Sequence, residues 1–261
     1  TFAGVIDGSG ALQKLNSGNL TLTGANTYNG GTTVTVGTLT GDTDSLQGNI
    51  TNDATVTFDQ ASDDTFAGVI DGSGALEKLN SGNLTLTGAN TYSGATNINA
   101  GTLSLGNNNV LPDDTAVTVS GGTFNLASND DTVGSIAGGG DITLGGGALT
   151  AGGDGTDTNF SGVISETGSL TKKGTGTLTL SGSSANTYDG ATNVDAGTLV
   201  LDKTAGTDAV SGAVNLNGGT LELDADNQIA DTSQVNFDGG TFNLADQSET
   251  VGSIGDGGGT G

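Results

Sequence analysis

The chain copies itself. Residues 1–28 and 65–92 differ at one position, Gln13 against Glu77, and over 1–39 against 65–103 seven positions differ with no gap. The second copy continues to Leu105, and a diverged third runs from Asn159 to Leu201. A chain built this way is a repeat architecture before it is anything else. A finer period sits inside the long one. Gly-Thr-apolar recurs at Gly101 and Gly122, spaced 21, and at Gly197, Gly219 and Gly240, spaced 22 and 21. A second module, GGTFNLA followed by TVGSI, occupies 121–136 and returns 118 residues later at 239–254. So few residues cannot bury a core alone, so each period is one coil that neighbouring coils must cover.

Within a period the residues alternate. Leu20/Leu22, Leu84/Leu86, Val117/Val119, Phe124/Leu126, Leu178/Leu180, Leu221/Leu223 and Phe242/Leu244 place apolar side chains on one side and Thr, Asn or Glu on the other. Alternation with period two marks short half-buried strands, here about four to six residues long and bounded by Gly, Asn, Asp and Ser turns. Gly, Thr, Asn and Ser crowd every window, which predicts very little helix. Three short strands per twenty-one residues describe one turn of a β-solenoid stacked in parallel at about 4.8 Å. The chain of 261 residues then makes about twelve turns and a rod roughly 60 Å long. A β-sandwich is the rival, but its hairpin signal, Asn-Gly, occurs only at Asn29-Gly30 and Asn217-Gly218. The reading is a single elongated all-β segment over 1–261. Its ends, TFAGV and GDGGGTG, fall inside repeat text, as expected of a section of something longer.

Composition narrows the function. The chain has 29 acids, five lysines (Lys14, Lys78, Lys172, Lys173, Lys203), no histidine and a net charge of −24. Such a surface repels phosphate, which argues against nucleic acid and anionic membranes as partners. Most of the acids read as solubilising, self-repelling charge. Cysteine is absent, so stability must come from stacking and backbone hydrogen bonds. No charged-then-apolar leader opens the chain, and no apolar run approaches a membrane span.

Longer motifs carry a resemblance. Gly168-Ser-Leu-Thr-Lys-Lys-Gly-Thr-Gly-Thr-Leu-Thr-Leu-Ser-Gly182, then Asn186-Thr-Tyr188, Gly190-Ala-Thr192 and Ala196-Gly-Thr-Leu199, resemble the autotransporter-associated β-strand repeat, the passenger-associated transport repeat of Gram-negative type V secretion. The copy at 65–105 is similar through Leu84 to Gly88, Asn90-Thr-Tyr92, Gly94 and Ala100-Gly-Thr-Leu103. The copy at 1–39 is similar through Leu20 to Gly24, Asn26-Thr-Tyr28 and Gly37-Thr-Leu39. Both depart from Lys-x-Gly-x-Gly at Leu15-Asn16-Ser17 and Leu79-Asn80-Ser81. The resemblance implies a right-handed parallel β-helix passenger, exported through a C-terminal barrel this chain does not contain. It also implies use as the stalk of an adhesin or aggregation factor. A cysteine-free chain of local turn-to-turn contacts suits passage through a pore unfolded and closure turn by turn outside.

Without histidine or cysteine, Ser-His-Asp and Cys-His nucleophiles and imidazole metal sites cannot be built. Carboxylate pairs for glycoside cleavage remain at Asp63-Asp64, Asp113-Asp114 and Asp130-Asp131, without the aromatic platforms such grooves use. Tyr28, Tyr92 and Tyr188 stand at equivalent repeat positions, which points to a packing or turn role. Gly138-Gly139-Gly140-Asp141 does not tile into a calcium β-roll. Asp130 and Asp131 are the weak metal candidates, with solvated corner acids the plainer account. Asn26, Asn90 and Asn186 read as corner residues bonding their own backbone, with a ladder between turns left open. No cofactor is expected. The expectation is therefore a non-enzymatic, extracellular or cell-surface stalk whose partner is a cell-surface protein, a glycan or a copy of itself. The alternatives are a fibre formed by end-to-end stacking and a polysaccharide-acting enzyme.

Overall fold

The computed structural model describes residues 1–256; the last five residues of the closing GDGGGTG lie outside them. All 29 described elements are strands, from two to six residues long, and every pairing between them is parallel. They form a three-faced β-solenoid. One face is an uninterrupted twelve-stranded sheet running from Asn19–Thr21 to Thr241–Asn243, which counts twelve turns. This agrees with the sequence period, since partners along that face are about a turn apart, as in Leu76 with Thr96 and Leu199 with Leu221. The strands are shorter than the alternation predicts, most of them three or four residues. Strand–crossover–strand connections within one parallel sheet favour a right-handed coil.

We number the faces in chain order from Leu12. Face one carries a four-stranded sheet from Leu12–Lys14 to Ile70–Asp71 and a seven-stranded sheet from Asp131–Val133 to Ser253–Gly255. The gap between them is bridged by single hydrogen bonds: Thr91 N to Ile70 O, Asn90 N to Val110 O and Asn109 N to Asp130 O. Face two is the twelve-stranded sheet. Face three carries six strands, from Asp64–Phe66 to Ile164–Ser165.

The core follows from alternation. In Thr198–Lys203 the side chains of Leu199, Leu201 and Lys203 point inward and are buried, while Thr198, Val200 and Asp202 point outward. Parallel register then stacks like on like: Leu178 under Leu199 under Leu221, and Phe124 beside Leu103 and Ile142. The inward columns are mainly apolar, with Lys14, Lys78, Thr96, Lys172 and Thr192 among the buried exceptions, so a turn's hydrophobic surface is covered only by its neighbours.

The repeat does not keep to one face. Leu12 of the first copy lies on face one, its equivalent Leu76 on face two, and Leu170 of the third copy again on face one. Sixty-four residues separate the first two copies, which is three turns and one further face. A nearly identical sequence thus sits a third of a turn round the axis, because each face asks the same of its strands: inward apolar, outward polar, glycine at the corner.

Candidate functional site

The repeat's distinctive residues converge on its corners. Period-two alternation puts Lys14, Lys78 and Lys172 on the same side as Leu12, Leu76 and Leu170, so their side chains enter the core, where they are at most 6 % exposed. Each ammonium is held by backbone carbonyls of two successive turns. Lys78 Nζ donates to Leu79 O at 2.7 Å, Asn80 O at 2.8 Å and Ala100 O at 3.2 Å. Lys172 Nζ does the same to Lys173 O at 2.7 Å, Gly174 O at 3.0 Å and Ala196 O at 3.2 Å. Lys14 Nζ bonds Asn16 O and, at 2.9 Å, Val36 O. Lys203 bonds Gly162 O at 3.2 Å and Ser181 O at 2.9 Å. Burial lowers the basicity of Lys78, Lys172 and Lys203, while Asp59 and Asp63, Asp154 and Asp157, and Asp141 respectively oppose it. Sequence reasoning missed these cages, although the lysines' parity with the leucines was the available signal.

The cage explains the glycine of Gly-Thr-Leu. Gly37, Gly101 and Gly197 have φ of 83°, 65° and 64°, and in each a Cβ would stand 2.8 Å from the caged Nζ as well as against backbone carbonyls. It also explains why the departure from Lys-x-Gly-x-Gly is harmless in the second copy. Asn80 adopts φ 63° where Gly174 has 69°, a region asparagine tolerates.

The asparagines are not self-bonded corner residues. Each is buried and ties three turns together. Asn90 Oδ1 accepts from Ile70 N at 2.8 Å and its Nδ2 donates to Val110 O at 2.9 Å. Asn26 links Ile6 N and Ser45 O, and Asn186 links Ile164 N and Ala209 O. The tyrosines pack inside as their equivalence predicts, Tyr28, Tyr92 and Tyr188 meeting Thr32, Thr96 and Thr192 four residues on. Burial raises the Tyr188 phenol to about 12 and Tyr92 further still.

The carboxylate pairs fall on three different edges of the prism. Asp63-Asp64 lies between faces two and three, Asp113-Asp114 between one and two, and Asp130-Asp131 between three and one, so the pairs do not converge. Asp63 accepts from Asn83 N, and Asp64 from Thr43 Oγ1 and Thr65 N. Asp130 accepts from Ala148 N at 2.8 Å, toward the following turn. Asp131 is 2 % exposed and faces the preceding turn: its Oδ2 accepts from Val110 N and Leu111 N, each at 3.1 Å, and its Oδ1 from Thr132 N at 2.8 Å. Burial pushes its carboxyl up to about 6 against those three hydrogen bonds, and Asp113 adds to the rise. Glu249, immediately before the second TVGSI, repeats the arrangement on Gln228 N, Ile229 N and Thr250 N. The two metal candidates thus point to opposite neighbouring turns, each engaged with backbone N–H. Among the described residues no three His, Cys, Asp or Glu side chains are grouped to hold a metal.

Chemically, then, the repeat's inward groups form a clamp between turns. The outward surface is rows of Thr, Asn and acids in which Lys173 is the exposed lysine. No helix among the described residues is long and apolar enough to cross a membrane.

The chain matches the passenger-associated-transport-repeat family at residues 12–40, 76–105 and 170–201, the three segments whose lysine cages and asparagine ties are described above. It is 37 % identical over 148 residues to the adhesin BmaC autotransporter of Brucella suis biovar 1, a stretch covering 54 % of this chain and 4 % of that adhesin. No solved structure matches. The repeats and the adhesin match support an autotransporter passenger segment with passenger-associated-transport repeats.

Proposed function

We propose that this passenger segment is an extracellular stalk: a non-enzymatic rod at the bacterial cell surface that holds adhesive or aggregating parts of a longer protein away from the membrane. The observation that supports it best is where the repeat spends its chemistry. The caged lysines, the tying asparagines and the buried tyrosines all face inward and join turn to turn, leaving a regular outer surface. A group that touches only its own fold stiffens and spaces; it does not transform a substrate. In this reading 1–261 acts as one unit, supported by the absence, among the described residues, of any linker that interrupts the twelve-stranded face. The similarity to an adhesin adds the context of surface attachment, with a surface protein, a glycan or a second copy as the class of partner.

Negative-stain electron microscopy of the purified chain tests this. Separate rods about 55 Å long, the span of twelve turns at strand spacing, are expected. Micrometre filaments would replace the stalk with a self-assembling fibre. Deleting residues 1–261 from the full-length protein should leave its export detectable but reduce cell adhesion or aggregation, and unchanged adhesion at unchanged surface level would count against the proposal.

A further inference from the structure

On the outer side of face one, three consecutive turns carry an amide at one register position: Asn193, Asn215 and Asn236. Each donates to the turn before it, Asn236 Nδ2 to Asn215 Oδ1 at 2.9 Å, Asn215 Nδ2 to Asn193 Oδ1 at 2.8 Å, and Asn193 Nδ2 to Thr171 Oγ1 at 3.2 Å. Two residues further along the same turns a second row runs Asp195, Asn217, Asp238, with Asn217 Nδ2 on Asp195 Oδ1 at 2.8 Å. Asn215 and Asn236 of the first row and Asn217 and Asp238 of the second line an open groove of about 430 Å³, completed by Gln234 and Asp256. Gly255 belongs to its lining, and a Cβ there would stand 2.7 Å from Asn236 Oδ1 and 2.9 Å from Gln234 Nε2. Among the described residues the Gln234 amide, Asn217 Oδ1 and Asn236 Oδ1 receive or make no hydrogen bond within the protein.

We propose that this groove binds a neutral linear oligosaccharide lying along the solenoid axis. The inference rests on the adhesin reading above and deepens it to a partner class and a place. Vicinal hydroxyls both give and take hydrogen bonds, and the groove offers spare amide donors beside amide and carboxylate acceptors. The amide rows are already fixed by their own ladder, so little side-chain freedom is lost on binding. Successive turns repeat the polar set every 4.8 Å or so, about the span of one pyranose ring. Asp238 and Asp256 in its lining, on a chain of net charge −24, repel an anionic glycan.

The test is titration of the purified 261-residue chain with maltotetraose, cellotetraose and chitotetraose, and with a hyaluronan tetrasaccharide as the anionic counterpart. Saturable millimolar or tighter binding of a neutral tetrasaccharide is expected. The double variant Gln234→Ala with Asn236→Ala should weaken it by about tenfold, the effect of losing one to two modest hydrogen bonds. Thr143→Ala, on face three, should not, and the double variant, although it gives up the Asn236–Asn215 ladder bond, should still melt as one cooperative fold. The single variant Gln234→Glu, which keeps the side-chain size, guards against loss of the fold. No binding of any neutral tetrasaccharide, binding the groove variants leave intact, or preference for the hyaluronan fragment each overturns the assignment. Such a failure with monomeric rods retained removes this inference alone; failure of the stalk reading shows in the rod dimensions, which the titration does not read.

Discussion

At Lys78 a four-carbon stem lies in an apolar stack and ends on three carbonyls belonging to two turns. Replacing a buried charge by a hydrophobe of similar shape is often neutral, but only if its partners are not left unsatisfied. Here Asn80 O and Ala100 O lose their donor. Lys78→Met should therefore destabilise the chain by about 2–4 kcal/mol, measured by denaturant unfolding. Gly101→Ala should cost about as much, since the methyl must enter the left-handed region and the cage at once. Gly153→Ala, with nothing within 4 Å of its Cβ position, should stay within about 0.5 kcal/mol. Asp131 makes the pH prediction. Its folded carboxyl titrates near 6 and an unfolded aspartate near 3.8, so between those values the native state holds the proton and the unfolded chain does not. Stability must rise as pH falls from 7 through 6 and level off near 4, by up to about 3 kcal/mol from this group. Glu249, raised by burial, works in the same direction, whereas Asp64 and Asp154, held low chiefly by hydrogen bonds, withdraw stability only in stronger acid. Asp131→Asn should flatten the pH 4–7 slope and raise the midpoint at pH 7.

At the scale of the element, Asn90 does for three turns what a cap does for a helix end: it answers backbone groups where the face-one sheet is interrupted. Asn90→Ala should cost about 1–3 kcal/mol, since Ile70 N is left unanswered while Val110 O keeps the Asn90 backbone N–H, and hydrogen exchange at Ile70 N should accelerate. The fold was legible in the sequence because alternation and period are properties of single strands and turns. Leu199 and Leu201 inside, with Thr198 and Val200 outside, could be read directly. What could not be read was anything needing two turns at once. Whether Asn90 bonds its own corner or the turns on either side, or which carbonyl of the next turn meets Lys172, depends on register between residues some twenty apart. The rotation of the second copy onto face two was hidden for the same reason, since it depends on the exact length of every turn between Leu12 and Leu76.

For the whole molecule, twelve turns of one chain bear a net charge of −24, and four of the five positive side chains are enclosed. Burial, with a like charge in the following turn, raises the carboxyls of Asp202 and Asp208, the neighbours being Asp224 and Asp231 respectively. Salt should screen this repulsion, so the melting temperature should climb between about 10 and 150 mM salt, where the screening length shortens from roughly 30 to 8 Å. The same repulsion keeps rods apart sideways, which suits a stalk.

The central claim is that distance along this molecule is counted in turns. The chain has no native cysteine, so pairs of spin labels can be placed at outward positions of one register column on face two: Glu77, Thr118, Thr179 and Glu222. Glu77–Thr179 and Thr118–Glu222 are each five turns apart and should give the same spacing, about 24 Å between backbone sites, while Glu77–Glu222, seven turns apart, should give about 34 Å. Unequal five-turn spacings, or a seven-turn spacing no longer than the five-turn ones, would contradict a continuous solenoid.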